Sequence, residues 1–108
     1  MKPEAKVLAA IVKELKRRQA SGEPIWWLKV HGGPLQRAGV PDLHVTYYGQ
    51  SLWLEVKAPG GEATVLQSDT MKRIRDAGGV SRVVSDVHHV ADLLHRVSVE
   101  LKRNSDPS

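Results

Sequence analysis

The chain contains no cysteine. That excludes disulfides and leaves a structural zinc site without its usual thiolate ligands. A reducing cytoplasm is the expected setting. No apolar run approaches the roughly 20 residues a membrane-spanning helix needs, so no membrane partner is expected. The first helical stretch is too charged for the apolar segment of a signal peptide. Neither repeats, linkers nor low-complexity segments divide the 108 residues. One domain over 1–108 is expected, with its core at about 4–103 and a flexible tail at 104–108. Positive charge is in excess: 16 Lys+Arg against 12 Asp+Glu give a formal net charge of +4. That balance suits a phosphate-rich partner, though many small domains carry as much.

Hydrophobic periodicity assigns the elements. Residues 4–19 read as an amphipathic helix, with Val7, Leu8, Ile11, Val12 and Leu15 at helical spacing, Pro3 in the first turn and Ser21-Gly22 at the end. Glu4 stands near its start, where an acid meets the helix dipole favourably. Ile25 to Val30 alternates as a strand, sending Trp26 and Leu28 to one face and Ile25, Trp27 and Lys29 to the other. One tryptophan is expected in the core and its neighbour at an interface. Thr64-Val-Leu-Gln67 has the spacing of a capping box and opens a helix to about Asp76. Val80 to Val84 is a short strand. A last helix runs from about Ser85-Asp86 to Arg103, and its His88, His89 and His95 read as solvated surface residues.

The stretch that carries chemistry is Pro41 to Lys57. Asp42–Tyr48 and Ser51–Lys57 alternate as two strands of a β-hairpin around Gly49-Gln50. With that two-residue loop, Asp42 faces Lys57 and His44 faces Glu55. A loop at Tyr48-Gly49 keeps the same face parity, whereas a three-residue loop breaks it. Either two-residue loop gathers Asp42, Glu55 and Lys57 on one side and Leu43, Val45, Leu52, Leu54 and Val56 on the other. Carboxylate oxygens are hard ligands suited to Mg²⁺ or Mn²⁺, and the main-chain carbonyl of Val56 can complete the set. Lys57 can orient or deprotonate a water, or counter charge developing on phosphate. The alternative is an ordinary cross-strand salt bridge with a spare acid. Before the hairpin, His31 to Gly39 is glycine-rich. Gly33 allows a phosphate to approach backbone amides, His31 and Arg37 can contact it, and a plain connector explains the loop equally well. No second ligand at metal-site spacing gives His31 a zinc role.

Pro41-Asp42, twelve residues, then Glu55-x-Lys57 resembles the PD-(D/E)xK nuclease signature. With His31-Gly-Gly, Gly39-Val-Pro-Asp42-Leu, Glu55-Val-Lys-x-Pro-Gly60, Gln67 and Ala77-Gly-Gly79, the chain resembles the small stand-alone form of the VRR-Nuc (virus-type replication-repair nuclease) family from about Glu4 to Leu94. The resemblance implies a restriction-endonuclease-like α-β-β-β-α-β-α core, an α/β fold with a four-stranded mixed sheet flanked by helices. It also implies that Glu4 and Gln67 support the metal and water, that Lys29 approaches the acids, and that products carry 5′-phosphates.

Together these readings lead to one expectation. The chain is a Mg²⁺-dependent DNA endonuclease, with Mn²⁺ able to substitute, in which Asp42, Glu55 and Lys57 act directly. The resemblance further implies selectivity for branched duplex such as four-way junctions, a homodimer to present two sites, and a bacterial or phage-infected cell. The alternatives are a nuclease without branch selectivity, a catalytically silent nucleic-acid-binding module of the same fold, and an interaction protein whose hairpin charges are merely paired.

Overall fold

A computed structural model describes residues 1–30 and 38–105, the side chains of 104 and 105 excepted. Seven elements follow in the order α1 (Pro3–Ala20), β1 (Ile25–Lys29), β2 (Leu43–Tyr47), β3 (Gln50–Val56), α2 (Val65–Asp76), β4 (Val80–Val84) and α3 (Val87–Ser105). The strands form one sheet ordered β1-β2-β3-β4. The first two pairings are antiparallel and the last is parallel, so the fold is α/β with a mixed sheet. Among the described residues no helix is long and apolar enough to cross a membrane.

Alternation sorts the sheet into two faces. Leu43, Val45 and Tyr47 of β2 and Leu52, Leu54 and Val56 of β3 are buried, with Ile11 and Leu15 of α1, Val84 of β4 and Val90 and Leu94 of α3. α1 and α3 therefore cover the side built from every second strand residue. Trp27 packs partly buried against this core, while Trp26 is 53% exposed on the opposite face, as the alternation of β1 requires. On that opposite face the His44 ring stacks on Trp53 at 4.2 Å between centroids, and Trp26 meets His44 edge-on at 6.2 Å. Partial burial holds the His44 imidazole below its usual pKa.

The hairpin turns at Tyr48-Gly49, not Gly49-Gln50. Leu43 pairs with Leu54, His44 with Trp53 and Tyr47 with Gln50. His44 therefore does not face Glu55, and Asp42, one residue before the ladder, falls opposite Glu55 instead of Lys57. Tyr48 (φ 50°) and Gly49 (φ 79°) both take left-handed backbone conformations, as a type I′ hairpin demands. Tyrosine is an unusual residue at its first position. The register moves by two residues, so the face of every side chain is unchanged.

Polar contacts tie α1 to the sheet at the end away from Glu4. Arg18 Nη1 bonds Glu23 at 3.0 Å, and the Tyr47 hydroxyl donates to the same carboxylate at 2.6 Å. Burial, with Glu23 beside it, pushes the Tyr47 phenol up to about 12. Arg17 and Arg18 both bond Glu14 and hold its carboxyl down at about 2, against the opposing effect of desolvation. Helix α2 begins with the capping box expected from Thr64 and Gln67, and its Met71 is buried.

Gly39 joins α2 to the approach to Asp42. Its φ is +85°, and a Cβ there would stand 2.7 Å from Leu66 Cγ and 3.1 Å from the Leu66 carbonyl oxygen. Gly22 has a similar φ of +86° with open space around it. Gly39→Ala should therefore lower stability to urea by more than Gly22→Ala, which carries only the backbone term of about 1–2 kcal/mol. Equal losses would show that the 38–40 turn does not pack on α2.

Candidate metal centre

Three elements deliver the acids to one place. Asp42 enters from the start of β2, after the wholly buried Pro41. Its carbonyl accepts the Val30 N–H at 2.9 Å, extending the β1–β2 ladder by one step. Its Oδ2 accepts the Val56 N–H at 2.9 Å, which ties the carboxylate to the end of β3. Glu55 lies on β3, 1% exposed. Glu4 stands in the first turn of α1. One carboxylate oxygen from each of Glu4, Asp42 and Glu55 lies within 4.8 Å of the others.

Lys57 is the cation of the group. Its backbone N–H donates to the Val84 carbonyl at 3.0 Å, anchoring it to β4. Its Nζ stands 3.4 Å from Glu55 Oε2, with the side chain 14% exposed. Asp42, Glu55 and Lys57 thus converge, as the parity argument requires, although the cross-strand partners differ from those expected. Glu4 joins them; the periodic reading gave it only a dipole role, and the resemblance supplied the metal role.

The electrostatics are unbalanced. Two like charges no more than 4.8 Å apart repel by about 3–4 kcal/mol or more at an effective dielectric near 20. Lys57 attracts Glu55 by a similar amount, so one ammonium cannot neutralise both the buried Glu55 and the half-buried Asp42. Glu55 shows the consequence. Burial first, then the Asp42 charge, raise its pKa from 4.5 to about 7, and Lys57 offsets only part of this. Among the described residues Glu55 Oε1 is buried without a hydrogen-bond partner. Buried carboxylate oxygens are normally satisfied, so this one is available to a proton or a cation.

Beside the acids opens a cleft of about 290 Å³ lined by Lys2, Glu4, Leu8, Lys29, Asp42 and Val56. Lys29 stands here, as expected from the resemblance. Lys2 was not expected; its only sequence signal is its position two residues before Glu4. Val56 forms part of the wall and donates its N–H to Asp42. Gln67 is committed to the capping box: its Oε1 accepts the Thr64 N–H at 2.9 Å, and its own N–H donates to Thr64 Oγ1 at 3.1 Å. The capping reading of Gln67 is therefore the one its geometry displays. His31, Gly33 and Arg37 lie outside the described residues. Neither a protein-family model nor a curated protein matches the chain.

The donor set fits a hard divalent cation: carboxylate oxygens from three separate elements, one of them buried without a partner. Glu55 also makes the pH dependence specific. Its folded pKa exceeds its unfolded value, so the native state binds the proton more tightly. Its contribution is fully present below about pH 4.5 and is lost as pH rises through about 7. Glu14, with its depressed pKa, acts below that window: its stabilisation is lost as pH falls toward 2. In EDTA, the stability of Glu55→Gln relative to the parent should therefore grow by about 1–3 kcal/mol between pH 4.5 and 8. Denaturant titration across that range checks it, and a pH-independent difference would contradict the raised pKa.

Proposed function

We propose that the protein is a divalent-metal-dependent nuclease that hydrolyses DNA phosphodiester bonds at the Glu4–Asp42–Glu55–Lys57 site. The observation that carries this reading is the convergence of three carboxylates within 4.8 Å, with a lysine ammonium 3.4 Å from the most buried one. A merely structural ion pair would not need a third acid, nor would it leave Glu55 Oε1 unsatisfied. The element order α-β-β-β-α-β-α is also the order of the restriction-endonuclease-like core implied by the resemblance.

Glu4, Asp42 and Glu55 would hold Mg²⁺, or Mn²⁺ in its place, with the Val56 carbonyl as a further oxygen. The cation supplies a more acidic bound water and neutralises charge on the scissile phosphate. Glu55 must lose its proton to act as a ligand, so cation affinity falls as pH drops below about 7. Asp42 is kept in place by the Val56 N–H, which limits the freedom lost on binding. Lys57, with its ammonium against Glu55, would hydrogen-bond the attacking water and counter the charge that builds on the phosphoryl oxygens. Lys2 and Lys29 line the adjoining cleft and would draw the phosphate backbone toward the acids. Selectivity for branched duplex, and the homodimer it calls for, rest on the resemblance alone.

Incubating the protein with labelled four-way junctions, flaps, duplexes and single strands, with and without Mg²⁺, tests the activity and its structural preference together. Asp42→Asn should lose both cleavage and the stabilisation produced by millimolar Mg²⁺. Lys57→Ala should keep the Mg²⁺ stabilisation and lose cleavage by about 10²-fold or more. Full cleavage by either folded variant would overturn the assignment.

A further inference from the structure

We infer a second site, for a phosphate group, in the cleft between α2 and β4 lined by Ser68, Arg75, Ser81 and Arg82. The cleft is about 370 Å³, and its remaining walls are Met71 and Val83. Arg82 Nη1 donates to the Ser81 carbonyl at 2.9 Å, and Arg75 Nη1 donates to the same oxygen at 3.5 Å. Two cations therefore converge on one neutral acceptor. Among the described residues no carboxylate pairs with either. The acids of α2 are committed elsewhere, Asp69 to Arg73 and Asp76 to Lys72. Asp92 lines a neighbouring cleft with Arg82 but forms no ion pair with it.

A second observation is independent of the arginines. Ser81 is wholly buried, and among the described residues its hydroxyl has no hydrogen-bond partner. A valine would fill such a position in a valine-rich strand without that penalty. Blunting of the exposed edge of β4 explains why an arginine sits on the Ser81 carbonyl. It explains neither the second guanidinium nor the orphaned hydroxyl. Two guanidinium forks beside a small cleft, with no carboxylate paired to either among the described residues, are the chemistry that recognises a tetrahedral oxyanion.

The cleft also has a defined relation to the acids. Ser81 pairs with Trp53 and Val83 with Glu55, so Ser81 lies one strand and two residues from Glu55, roughly 8 Å by strand geometry. Two sources of phosphate are therefore within the chemistry: a free or small-molecule phosphate, and a neighbouring phosphate of a nucleic acid held at the acids. Only the second source rests on the nuclease reading.

Titration with inorganic phosphate at constant ionic strength, in EDTA, tests the site by amide chemical shifts and thermal melting. Saturable shifts confined to Ser81, Arg82, Val83 and the facing turn of α2 are expected, and the Arg75→Ala/Arg82→Ala double variant should lose them. Ser81→Ala should weaken phosphate binding several-fold while raising the melting temperature of the unliganded protein. Absence of localised shifts, or shifts that persist in the double variant, overturns the site. A short single-stranded oligonucleotide in EDTA distinguishes the sources. A fall of about fivefold or more in affinity for the double variant, with a shallower salt dependence, identifies the nucleic-acid backbone; an unchanged affinity beside lost phosphate binding identifies the free anion. The response to Mg²⁺ should be unaltered in the double variant. Failure here is thereby separable from failure of the metal site, which Asp42→Asn reports.

Discussion

Repulsion between the Asp42 and Glu55 carboxylates is the constraint around which this small fold is arranged. Pairing of β2 with β3 sets the two acids opposite each other, and the Val56 N–H keeps Asp42 there. Burial of Glu55 removes much of the water that would screen the pair. Lys57 relieves part of the tension; burial first, and then the Asp42 charge, raise the pKa of Glu55, and one of its oxygens is left unsatisfied among the described residues. A domain of this size has little stability to spare, and a bound cation is the completion proposed above for an arrangement this unfavourable.

The remaining structure serves to hold that arrangement. The core between the sheet and the α1–α3 layer fixes the strands that carry Asp42, Glu55 and Lys57. At the C-terminal end of α1, Arg18, Glu23 and Tyr47 join helix to hairpin, while Glu4 reaches the acids from the other end. α2 packs beside β4, and its Leu66 abuts Gly39 on the approach to Asp42. Cationic groups stand on two sides: Lys2 and Lys29 by the acids, and Arg75 and Arg82 at the α2–β4 cleft.

Much of this was legible in the residues because strands have a period of two. The alternation of Leu43, Val45, Leu52, Leu54 and Val56 identified the core face, and with it the face of Asp42, Glu55 and Lys57, whichever two-residue turn closed the hairpin. The turn itself was misplaced because Tyr48 adopts a left-handed conformation that asparagine or glycine would ordinarily signal. Gln67 shows a different limit: its spacing from Thr64 announces a cap, and the side chain in the cap is committed to Thr64. Proximities between distant segments were not legible from periodicity. Nothing in the helical pattern of α1 brings Glu4 to a strand end, and nothing around Arg75 and Arg82 announces their shared acceptor. Such meetings depend on how helices pack across the sheet, which local pattern does not encode.

The central claim is that Glu4, Asp42 and Glu55 together seat one hard cation. Anomalous diffraction from crystals soaked in Mn²⁺ near pH 8 tests it most directly. The account predicts a peak about 2.1 Å from carboxylate oxygens of Asp42 and Glu55, with Glu4 in the same coordination sphere or joined to it through a water. A Mn²⁺ peak elsewhere on the surface, with Lys57 still bonded to Glu55 and no density between the acids, would contradict it.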